Sequence, residues 1–172
     1  MINYLLSLIL GFLVKTVDLA SEHGLKLNKF VKLAFCITYG ALLAYLISAV
    51  FLPEFFLGIL LGVIVSSKID SKLHLLAMIF FLTFSIFFNQ PITDWLIILL
   101  VAVICYFEEW INDELVDKKK VKGNFRKFLS FRPLLEIAAV ILSIIYSDIS
   151  IFLLLLCFDL GYYFSKKFFH IK

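Results

Sequence analysis

Apolar residues in this chain do not form a stripe with a wet face opposite; they run on. Such runs occupy 2–20, 30–52, 54–67, 73–89, 95–114, 133–147 and 149–165, with short polar breaks between them. Uninterrupted apolar runs of this kind predict helices that cross a bilayer rather than helices lying on a soluble core. Gly24 stops the first, Pro53-Glu54 opens the third, Asn89-Gln90-Pro91 parts the fourth from the fifth, and Gly123-Asn124 interrupts a long polar loop. Pro133 falls in the first turn of the sixth, a position that needs no backbone N–H donor. Segments 54–67 and 133–147 are short: 15 residues cover about 22 Å of a core about 30 Å thick. They either thin the bilayer or form re-entrant hairpins, so five spans is the rival to seven.

Charge orients the pattern. Threading the runs alternately puts Lys15, Lys26, Lys29, Lys32, Lys68, Lys72, the bases of 118–132, Lys166, Lys167 and Lys172 on one side. The other side receives only Glu54, Asp94 and Asp148. The positive-inside rule makes the basic side cytoplasmic. The expectation is an all-α integral membrane protein of the cell membrane with about seven transmembrane helices, N-terminus outside and C-terminus cytoplasmic.

Composition agrees: 63% of the 172 residues are hydrophobic, 20 are Phe, and the mean hydropathy is +1.04. The net charge of +3 is no nucleic-acid signature, because the bases interleave with spans and build no continuous stripe. The N-terminus lacks a basic n-region and a small-residue cleavage site, so it reads as a retained span. Cys36, Cys105 and Cys157 sit singly in apolar runs and read as free thiols. His23, His74 and His170 have no partner at helical spacing. No GxSxG, HExxH, P-loop or GxGxxG motif is present.

Small residues suggest an internal duplication. Gly40, Ala44 and Ser48 match Ala139, Ser143 and Ser147; Gly58, Gly62 and Ser66 match Cys157, Gly161 and Ser165, each pair 99 positions apart. Four-residue spacing lines each set along one helix face and permits close approach of neighbouring helices, or of another copy or membrane partner. The first helices align 12–22 with 103–113, pairing Asp18 with Glu109, Ser21 with Asn112 and Glu22 with Asp113. The organisation becomes a repeat at 1–72, a linker helix at 73–94 and a repeat at 95–172 carrying the basic loop 115–132. A single linker span makes the repeats parallel, in a 3-1-3 order.

Both first helices end acidic. Asp18, Glu22, Glu109 and Asp113 are therefore candidate ligands of a divalent cation such as Mg²⁺, which takes carboxylate oxygens together with substrate phosphates. Glu108, Asn112, Glu136 and Asp159 are second candidates. An ionisable group at a helix centre costs roughly 2.5–3.5 kcal/mol, so Asp159, between LLLLCF and LGYYF, is expected to face protein or water. Lys118, Lys119, Lys120, Lys122, Arg126, Lys127 and Arg132 alternate with Phe125, Phe128 and Phe131 and suit anionic headgroups. The pairing of two acidic clusters on related helices resembles intramembrane prenyltransferases in outline, without their NDxxD-type motif or nine spans. The 3-1-3 order resembles the SWEET sugar transporters, without a PQ motif. Three functions stay open: a cation-dependent site for a phosphate-bearing lipid in a cytoplasm-facing pocket, a small transporter, and a scaffold subunit. Whether the chain is an enzyme is open as well.

Overall fold

A computed structural model of the chain describes residues 1–21, 25–69, 71–88, 94–130 and 132–169, with side chains for all but Asp117, Lys127 and Ser130. The breaks expected at Gly24 and at 89–91, together with Glu22, His23, Phe131, His170 and Lys172, lie outside these residues. Among the described residues the chain is helical, with no strand: α1 (Ile2–Ser21), α2 (Lys29–Ala49), α3 (Pro53–Val65), α4 (Lys72–Ser85), α5 (Trp95–Ile111), α6 (Gly123–Ser130), α7 (Pro133–Ile145) and α8 (Ser150–Phe168). A π-helical stretch, Asn112–Asp117, continues α5.

Short polar side chains start several of these helices. Asn28 accepts from the N–H of Phe30 at the head of α2, and Ser71 accepts from that of His74 at the head of α4. Asp94 accepts from Leu96 N at 2.9 Å and Ile97 N at 3.4 Å. Each satisfies a donor that the first helical turn leaves unpaired. Proline opens α3 and α7, whose first N–H would be free in any case. These two helices also end alike. Lys68 N bonds to Val63 O and Ser67 N to Ile64 O; Asp148 N bonds to Ser143 O and Ser147 N to Ile144 O. Both are Schellman turns, with Ser67 and Ser147 in the left-handed region at φ 58° and 54°.

Among the described residues, three helical segments are long and apolar enough to cross a membrane: α1, α2 and Trp95–Val116. Pro53–Val65, Lys72–Ser85 and Pro133–Ile145 are apolar but shorter. At 13 residues, α3 and α7 rise about 20 Å each.

The helices form two compact units interleaved along the chain. Residues 1–51, 69–91 and 153–172 make the first; residues 52–68 and 92–152 make the second. In the first, α1 packs on α2 and α4, and α2 on α4. The last part of α8 lies along α1, with Ser7 donating to Leu154 O at 2.7 Å and Thr16 sharing a 2.9 Å bond with Ser165. In the second, α5 packs on α3 and α7, and α6 touches α7.

Glycine sets the closest crossings. A Cβ on Gly11 would collide with the carbonyl of Phe158, and one on Gly161 with the carbonyl of Leu8. In the other unit, a Cβ on Gly62 would stand 2.8 Å from Ala102 O, and one on Gly58 2.9 Å from Ile98 O. No larger residue admits backbones this near. The unit that holds α1 and α2 thus borrows α8, while the unit that holds α5 and α7 borrows α3. Two thiols bridge neighbouring helices: Cys36 of α2 donates to Leu73 O of α4 at 3.4 Å, and Cys105 of α5 to Ile59 O of α3 at 3.5 Å. All three cysteines are free, and Cys157 is half-buried.

Candidate functional site at the end of α5

Apolar residues carry α5 to Phe107, after which Glu108 and Glu109 follow in sequence. Both are buried, at 2% and 3% exposure. Consecutive helical residues diverge by about 100°, so the two carboxylates meet different neighbours.

Glu108 faces the start of α7. Its Oε1 accepts from Leu134 N at 2.7 Å and its Oε2 from Leu135 N at 2.9 Å. Arg132 occupies the capping position but supplies no side-chain cap. The carboxylate from α5 does that work, and its charge suits the positive end of the helix dipole. Glu108 is thus the bond that joins α7 to α5.

Glu109 faces two cations. Arg132 Nη1 lies 2.7 Å from Glu109 Oε1 and Nη2 donates to Oε2 at 3.4 Å. That is a two-pronged guanidinium–carboxylate pair. Lys68 Nζ lies 3.9 Å from Glu109 Oε2 and 2.5 Å from Asp113 Oδ1, one turn further along. The Schellman turn after α3 delivers Lys68. A left-handed backbone at Arg132, φ 56°, delivers the guanidinium, a conformation that costs a non-glycine residue about 1–3 kcal/mol. Burial draws the Lys68 ammonium down, but the bond to Asp113 and the charges of Asp113 and Glu109 outweigh it and hold its pKa above the ordinary value. Lys68 is therefore a fixed cation at neutral pH.

Past this point the helix widens into its π-helical stretch, a form concentrated at functional positions. Glu114 there pairs with Lys118 and, at 2.6 Å, with Lys120. Asn112 is half-buried in the same stretch.

The first unit carries a different polar group. Asp18 pairs with Lys15 one turn earlier on α1, and Tyr162 on α8 donates to Asp18 Oδ2 at 3.4 Å. The Lys15 ammonium sits 4.8 Å from the centre of the Tyr162 ring, and Lys15 is 8% exposed.

The structure thus gathers Glu108, Glu109, Asp113 and Arg132 at one place and adds Lys68, which the sequence marked only as a charge. Asp18 belongs to the other unit. Among the described residues no three His, Cys, Asp or Glu side chains form a group able to hold a metal ion. Glu136 is half-buried on the first turn of α7 and Asp159 half-buried on α8, where it has a polar partner. Of the basic loop, Lys119 and Lys122 are exposed and Arg126 is half-buried, while the side chain of Lys127 is not among those described. Lys68 was legible in one respect: alternate threading places the end of the third run level with the end of the fifth.

Compared with known protein families, curated proteins and solved structures, the chain matches none.

Proposed function

We propose that this is a small membrane protein that binds a phosphate-bearing lipid at its cytoplasmic end through Lys68 and Arg132. The observation behind this is one buried carboxylate holding two cations that themselves remain more than a third exposed. The Glu109 side chain is 4% exposed, whereas those of Lys68 and Arg132 are 35% and 42% exposed. Glu109 fixes their spacing and a headgroup phosphate meets their exposed sides, which suits the planar fork of arginine and the point charge of lysine. Asp113, with its side chain 45% exposed, is the carboxylate open to a divalent cation such as Mg²⁺ bridging to that phosphate. Glu109 keeps its oxygens on Arg132.

The same reading has the chain cross the membrane seven times, N-terminus outside, as two parallel repeats flanking α4. Packing directions support it. Asn3 donates to Ala49 O at 3.4 Å, so α1 starts where α2 ends. Asp94 N donates to Glu54 Oε1 at 3.3 Å, so α3 and α5 start together. Glu108 caps α7, so α7 starts where α5 ends. Each agrees with alternate threading. The reciprocal loan of α8 and α3 supports a duplication whose third helices are exchanged.

The test is lipid binding by the full chain in phosphatidylcholine nanodiscs doped with phosphatidic acid. Lys68→Gln and Arg132→Gln are each expected to weaken retention of phosphatidic acid about tenfold, the share of one charge-assisted hydrogen-bonding group. Asp113→Asn is expected to remove any Mg²⁺ enhancement. Retention unchanged in both cation variants overturns the proposal. The transport reading has its own support in the buried Lys15–Asp18–Tyr162 group, and proteoliposome uptake abolished by Asp18→Asn alone would favour it.

A further inference from the structure

Between the end of α5 and the start of α7 lies a short helix whose two phenylalanines stay more than half exposed. On α6, Phe125 and Phe128 are spaced as neighbours on one helical face and are 58% and 55% exposed. Lys119 and Lys122, just before the helix, are exposed, and Arg126 stands between the two phenylalanines. Lys118 and Lys120 share the single charge of Glu114, so this pair keeps one net positive charge beside Lys119, Lys122 and Arg126. Bare phenyl rings ringed by cations match a surface that is apolar below and anionic above. The chain itself says which surface. Serine 130 ends α6 and Pro133 begins α7, so α6 is tied within three residues to the head of an apolar helix.

We propose that α6 lies in the plane of the cytoplasmic leaflet as an anionic-lipid anchor, its phenylalanines among the acyl chains and Lys119, Lys122 and Arg126 on the headgroups. Seated there, it fixes the depth at which α7 enters the bilayer. It holds the short α7 at the membrane face beside Arg132.

The full chain carrying Phe128→Cys, labelled with an environment-sensitive fluorophore, tests this in nanodiscs; the parent chain labelled in parallel gives the background from Cys36, Cys105 and Cys157. In phosphatidylglycerol-containing discs the label is expected to shift to shorter wavelength and to be quenched by a nitroxide lipid at the depth of the upper acyl chain. A surface cation is worth about fivefold in affinity for an anionic leaflet. Lys122→Gln is therefore expected to raise the phosphatidylglycerol fraction for half-maximal quenching about fivefold. Phe125→Cys is expected to report the same depth, which guards against a local effect of the label. Lys68→Gln, which acts on the proposed phosphate site, should leave this signal in place. Water-like emission at both positions overturns the anchor, and equal quenching in discs of pure phosphatidylcholine overturns its preference for anionic lipid.

Discussion

The crossings of α1 with α8 and of α5 with α3 follow one plan and handle charge in opposite ways. Each is a parallel pair brought close by glycine: Gly11 and Gly161 in one, Gly58 and Gly62 in the other. In the first, the ion pair is local, Lys15 with Asp18 on the same helix, and the second helix adds only a tyrosine. In the second, Glu109 on α5 is met by Lys68 from the end of α3 and Arg132 from the head of α7. The first arrangement neutralises a charge where it stands. The second uses a charge to tie three elements together and leaves two cations facing outward.

Substitutions can break this contrast. The largest effect is expected for Gly161→Leu, because the added atoms meet a backbone carbonyl that cannot rotate away. More than about 3 kcal/mol of destabilisation is expected, seen as loss of a cooperative thermal transition in detergent. Gly62→Leu should cost less, since its Cβ would stand 2.5 Å from Cys105 Cβ and 2.8 Å from Ala102 O, against 1.9 Å from Leu8 O at Gly161. Equal costs would show that the depth of this clash does not separate the two crossings. Next comes Arg132→Ala, which leaves Glu109 buried with Lys68 as its nearest cation. Breaking a fully buried pair costs about 3–5 kcal/mol, and the exposure of Arg132 brings the expectation to about 2 kcal/mol. Asp18→Asn should cost about 1 kcal/mol, since the amide still accepts a hydrogen bond and the Lys15 stem can carry its ammonium toward water. A larger loss from Asp18→Asn than from Arg132→Ala, by steric trapping or denaturant titration, would reverse the comparison.

The smallest effect concerns pH. The Lys68 pKa is held above its ordinary 10.5 in the folded chain. Its contribution is therefore complete below the unfolded value and is lost only as pH rises through the folded one. Lys68→Gln and the parent chain should show the same pH dependence of stability from pH 6 to 9 and diverge only in strong alkali. Divergence near neutrality would mean that Lys68 is not the cation it is taken for.

Much of the helix plan was legible because continuous apolar runs leave few alternatives, and every run expected from sequence contains a helix. Their lengths were less legible. The fourth run reads to residue 89, whereas α4 closes at Ser85; apolar residues continue past a helix end when membrane or neighbours still cover them. The role of Glu108 could not be read, since a carboxylate that caps a different helix leaves no local motif. For the first helices, polar residues and backbone approach suggest two different registers. Matching acids pairs Asp18 with Glu109, an offset of 91. The crossings instead set Leu8 against Gly161 and Ala102 against Gly62, an offset of 94 that pairs Lys15 with Glu109. Close approach of backbones fixes register more strictly than the charge that happens to stand nearby.

The late arrival of α8 also has a consequence in time. During synthesis α1 emerges long before α8, and the groove that Gly11 opens has no occupant until Gly161 arrives, 150 residues later in the chain. The amino-terminal unit therefore cannot close as it is made, and its earliest helix must wait for a late one. A stop codon between α4 and α8 would leave that groove empty while α1 still packs on α2 and α4. Such truncated chains should be degraded even though all of α1, α2 and α4 had been translated.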